Sequence, residues 1–148
     1  MSLGISTVRT TAVSLLTTIL GAGWNELPFQ VDIDLNNTRS LDKGFSVQWG
    51  EGSQVYLIDQ CVNLEQDLEV ELSRRIFIRN DDAKATVIID SMYDSVADIA
   101  KQFCFGKLGI PATVQQVEMT RLEKPKRAGE GRDIAVIKMI FRVRYLVT

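Results

Sequence analysis

Residues 62–72 read VNLEQDLEVEL, and this stretch decides the fold. Val62, Leu64, Leu68, Val70 and Leu72 occupy even positions, and Ile76 and Ile78 continue the row. Asn63, Glu65, Asp67, Glu69, Glu71 and Arg75 occupy the odd ones. Apolar residues at every second position describe a long strand with one buried face, because successive side chains of a strand point to opposite sides. Gln66 and Arg74 interrupt the apolar row, which predicts a bulge or an exposed end there.

Working outward, the next segment changes period. After Asp81 or Asp82 as a cap, residues 83–105 place Ala85, Ile88, Ile89, Met92, Val96, Ile99, Ala100 and Phe103 on one helical stripe, with Gly106 at the stop. A closing hairpin follows, with strands at about 114–123 and 133–147 joined by a loop over 124–132. In its last strand Ala135, Ile137, Met139, Phe141, Val143, Tyr145 and Val147 share a face.

Toward the N-terminus, Ile5, Val8, Ala12, Leu15, Leu16 and Ile19 form one stripe at helical spacing. This predicts a helix over 5–20, ended by Gly21 and Gly23. Residues 12–23, with Arg9 ahead of them, also resemble a weak secretory signal. They are too short to span a membrane, and the one-sided stripe argues for a docked helix. Residues 32–42 read as a loop. Phe45–Trp49 reads as a strand, Gly50–Glu51–Gly52 as a turn, and Val55–Ile58 as another short strand. Helix, strands, helix, hairpin is not a βαβ alternation. It predicts one α+β domain over 1–148, an antiparallel or mixed sheet with two main helices packed on one face.

The composition narrows the function. The chain has 148 residues, 45% hydrophobic and 24% charged, which is that of a globular domain rather than a disordered one. A net charge of −2 lacks the basic excess of a protein that grips duplex DNA. The absence of histidine excludes a His-based triad, a His-ligated zinc and a His pH switch. Cys61 and Cys104 form no CxxC pair; one disulfide is open to them, and two packed thiols in a reduced compartment is the simpler reading. No nucleophile elbow, Walker A loop or dinucleotide fingerprint is present, and Gly50–Glu51–Gly52–Ser53 is a turn rather than a phosphate loop. No cofactor is expected. Trp24 and Trp49 suit burial or an interface anchor better than stacking on a base.

Charge is segregated along the chain. Asp59, Glu65, Asp67, Glu69 and Glu71 occur without a base between Asp59 and Leu72. Arg121, Lys124, Lys126, Arg127, Arg132, Lys138, Arg142 and Arg144 outnumber the acids of the closing hairpin. Neighbouring carboxylates on one strand face could also hold a divalent cation or act as an acid–base pair, which is the rival, enzymatic reading. If the acidic and basic strands pair within one sheet, the attraction is internal. If they present on different sides, identical copies can meet head to tail and close a ring, and this is the expectation adopted. Its interface residues would be Glu65, Asp67, Glu69, Glu71, Arg121, Lys124, Lys126, Arg127, Arg132, Arg142 and Arg144.

The order of elements, with the helix opening at Asp81–Asp82 and a final strand through Ile137–Lys138–Met139–Ile140–Phe141–Arg142–Val143–Arg144–Tyr145, resembles the tail-terminator, or tail-completion, proteins of long-tailed bacteriophages. The resemblance implies a non-enzymatic virion protein, assembled in the bacterial host cytoplasm, whose hexameric ring caps the tail tube and joins it to the head. The implied partners are further copies of itself, the tail tube protein and a neck or head-completion protein. DNA would pass through without sequence-specific binding, and no membrane is involved. Head-closure and neck adaptor proteins share this size and ring habit and remain the alternative.

Overall fold

In the computed structural model, residues 5–27, 42–58, 61–76, 82–106, 114–128 and 134–147 are described, with side chains for most of them. The elements are α1 (Ile5–Leu20), β1 (Asn25–Glu26), β2 (Gly44–Ile58), β3 (Cys61–Arg75), α2 (Asp82–Gly106), β4 (Val114–Leu122), β5 (Lys126–Ala128) and β6 (Ile134–Val147). The expected loop over 32–42 lies almost wholly outside the described residues, as does the cap position Asp81.

The α1 helix covers the predicted span and buries Val8, Ala12 and Leu16 completely, so the apolar N-terminal stretch is a docked helix. It stops where Gly21 takes φ +84°, a left-handed conformation that a residue without Cβ adopts freely, and the Gly21 amide donates to the Thr17 carbonyl at 3.1 Å. No described helix is long and apolar enough to cross a membrane.

The strands form one mixed sheet in the order β1-β2-β3-β6-β4, with β5 on the same edge of β6 as β4. β1 runs parallel to β2, and all other pairings are antiparallel. Both helices pack on one face of this sheet, as the sequence predicts. Phe45, Leu68, Leu72, Ile137 and Phe141 rise from the sheet to meet Leu16, Met92, Ile99 and Phe103 in one core. Phe103 and Phe141 make a tilted ring contact with centroids 5.0 Å apart. Trp24 and Trp49 are half-buried against the same core, as is Cys104, a free thiol; the side chain of Cys61 lies outside the described residues.

Two expectations need correction. Residues 44–58 are one strand, not a strand, a turn and a strand. Gly50–Gly52 is a register shift, the bulge lying on β2 rather than on β3. A Cβ on Gly50 would come within 3.0 Å of the Glu69 carboxylate, so the glycine admits a close approach within the sheet instead of a reversal. The stretch 124–132 is not wholly loop. After Glu123 and Pro125 interrupt β4, β5 resumes pairing with β6 at Val136, Ala135 and Ile134.

Candidate functional site

The sheet order decides what the charged strands do. β6 lies between β3 and β4, so the acidic strand and the closing basic strand are immediate neighbours. Their register sets Glu65 opposite Arg144, Asp67 opposite Arg142, and Glu71 opposite Lys138. Directly paired residues share a face, and this face is the one away from the helices.

The contacts follow from that register. Arg142 Nε donates to Asp67 Oδ1 at 3.2 Å and its Nη1 lies 3.9 Å from Glu65 Oε2, so one guanidinium spans two carboxylates. Arg144 forks onto Glu65, with Nε–Oε1 at 3.1 Å and a second contact from Nη2. Lys138 Nζ sits 2.7 Å from Glu69 Oε1. Burial by itself would lower the Lys138 pKa; the hydrogen bond to Glu69 and the charges of Glu69, Glu71 and Glu123 outweigh it, and the value stands above the ordinary 10.5. On the opposite face Tyr145 is pushed above its ordinary 10.0 by burial.

Five of the expected interface residues, Glu65, Asp67, Glu69, Arg142 and Arg144, are thus brought together inside one chain. Glu71 is buried beside Lys138. The expectation that the acidic and basic strands face different sides does not hold: as sheet neighbours they neutralise each other, and they cannot supply the head-to-tail attraction. The carboxylates of the rival, cation-holding reading are the same ones that face the basic strand. Glu65, Asp67 and Glu69, each half-buried, already have a cation, and among the described residues no group of three or more Cys, Asp or Glu is placed to hold a metal ion.

The other expected residues lie apart from this ladder. Arg121 is exposed and 3.6 Å from Glu123. Lys124 and Lys126 are exposed and Arg127 half-exposed along the β4–β5 edge; Arg132 lies outside the described residues. The sequence reading passed over a second acidic row. Asp90, Asp94 and Asp98 are exposed on α2, and their spacing of four, a helical period, is the signal that locates them.

No family model matches the sequence, and no curated protein does. Solved structures do match, and one is a chain of the virion of a native gene transfer agent (GTA) particle. The identity is 14% and the TM-score 0.52, with 95% of this chain and 92% of that chain covered. At that identity the likeness establishes a shared fold, an α+β sheet with helices on one face.

Proposed function

We propose that the chain is a non-enzymatic structural protein of a phage-like virion, acting at the tail end or neck as a tail-terminator-like subunit. One observation carries this reading: the fold correspondence with a GTA virion chain runs over nearly the whole of both chains. The match leaves neither chain with a large unmatched part, so the correspondence is of the whole domain rather than a shared substructure, and the role is carried over from it by fold analogy. The lack of histidine and of any nucleophile or phosphate-loop motif supports assembly over turnover. In this role copies of the chain form a ring, hexameric by the family resemblance, that contacts the tail tube on one side and a neck or head-completion protein on the other. A near-neutral charge suits a ring through which DNA slides without being gripped.

Deletion of the encoding gene from its parent particle, followed by electron microscopy, tests this. Tails of uncontrolled length separated from filled heads are the expected result. Tails of normal length that fail to join heads would favour the head-closure or neck adaptor role. Intact, joined particles would overturn the proposal.

A further inference from the structure

With the β3–β6 ladder internally neutralised, and apart from single charges at Lys43, Glu51 and Glu118, the unpaired charge of the described residues gathers in two patches of opposite sign. The first is the outward face of α2. Ala85, Met92, Val96, Ile99 and Phe103 turn to the core, and Asp90, Asp94 and Asp98 stand on the opposite side. None of the three aspartates forms an ion pair among the described residues. Like charges four residues apart on a helix repel, so the row works against the helix that carries it. The same face carries Val87, 66% exposed, and Phe105, 85% exposed, with Lys101 between the aspartates and Phe105. Two large apolar side chains left in water at either end of an acidic row are the composition of an uncovered contact surface.

The second patch is the β4–β5 edge. Leu122, 42% exposed, is flanked by Arg121 and Lys124, with Lys126 and Arg127 following. Lys124, Lys126 and Arg127 have no acidic partner among the described residues. Arg121 and Lys126 register with Ile140 and Val136, on the sheet face away from α2. Leu122 and Arg127 register with Met139 and Ala135 on the helix-bearing face, so the patch wraps around the edge. Arg121 and Lys126 face away from the chain's own aspartates, and no ion pair joins Arg127 to them among the described residues. The dimensions are comparable: Val87 to Phe105 spans about 27 Å of helix, and Arg121 to Arg127, across the break between β4 and β5, at most about 20 Å of extended chain.

We infer that the outward face of α2 docks on the β4–β5 edge of a second copy of this chain, aspartates against Arg121, Lys124, Lys126 and Arg127, with Val87, Phe105 and Leu122 as apolar anchors. Because the contact joins unlike surfaces, it propagates head to tail and closes a ring when the rotation allows. The inference rests on the assembly reading and names the surfaces that reading requires.

The test uses two charge-reversed full-length variants, Asp90→Lys/Asp94→Lys/Asp98→Lys and Lys124→Glu/Lys126→Glu/Arg127→Glu, with oligomer mass measured by light scattering across concentration. The substituted side chains are at the surface, and matching thermal melts verify the fold. Each variant alone should need at least about tenfold more protein than wild type to assemble, and an equimolar mixture should recover assembly, since each then meets an opposite partner. Assembly of either variant at the wild-type concentration, or a mixture no better than its components, would overturn the contact. A wild-type chain that remains monomeric at its highest soluble concentration would also overturn it. The virion role is judged separately by the deletion phenotype, so the two readings can fail independently.

Discussion

Along β3, the carboxylates of Glu65, Asp67 and Glu69 meet Arg144, Arg142 and Lys138 from the next strand; along α2, those of Asp90, Asp94 and Asp98 point into water. The two rows are similar in charge and opposite in behaviour. A strand within a sheet has a neighbour about 5 Å away on each side, and the register supplies the counter-charge. A helix on the surface has no such neighbour, so its field extends outward to whatever approaches. The acid run that is conspicuous in the sequence is electrically quiet in the fold, and the sparse one is available for recognition.

The comparison can be broken in order of expected effect. Phe141→Ala, on the apolar side of β6, sets the scale. It removes the contact with Phe103 and should destabilise the chain by about 3–5 kcal/mol in chemical unfolding. Lys138→Ala acts on the charged side of the same strand, removes the ion pair with Glu69 and takes away the positive charge beside the buried Glu71. A loss of about 1–2 kcal/mol is expected, less than for a fully buried pair because Lys138 and Glu69 keep some solvent contact.

Alkaline unfolding sharpens the result. A pKa raised in the folded state means stability that is complete below the unfolded value and lost as pH rises through the folded one. Both Lys138 and Tyr145 are raised, so wild type should weaken above about pH 10 to 10.5, the ordinary values of the two groups. Lys138→Met and Tyr145→Phe should each remove part of that decline in urea titrations on either side of the window, and no change in either variant would refute the assignment. The smallest effect has the opposite sign. Asp94→Lys should raise stability by up to about 0.5 kcal/mol, because a repelled helix position becomes a bridging one between Asp90 and Asp98. A substitution that strengthens the fold and weakens assembly would separate the two acidic rows cleanly.

Local structure was legible where one period dominates. The α1 stripe from Val8 to Leu16 and the α2 stripe predict the observed helices within a residue or two, and the alternation of β3 predicts its start, with Ile78 lying outside the described residues. Gly50–Glu51–Gly52 misled because glycine serves a reversal and a bulge equally well; the Glu69 side chain that fills the space comes from another strand. Lys126–Arg127–Ala128 carries no alternation, and only β6 makes it a strand. The site was harder for the same reason. Whether Glu65 faces Arg144 or solvent depends on β6 being inserted between β3 and β4, a long-range choice that no local spacing encodes. The α2 aspartates carry a local signal in their spacing of four, yet they are absent from the expected interface residues because the longer acid run on β3 dominates the charge pattern.

Arg9 marks one point at which the opposite border of the sheet is covered, just beyond the short β1. From α1 its Nε donates to the Val47 carbonyl at 2.9 Å while Nη2 holds Glu26 at 2.7 Å, so one side chain clasps a helix and two strands. An intruding strand would need that carbonyl for its own ladder, and the guanidinium already occupies it. At this position the clasp removes one acceptor from the row that an added strand would need, a local device against edge-to-edge pairing.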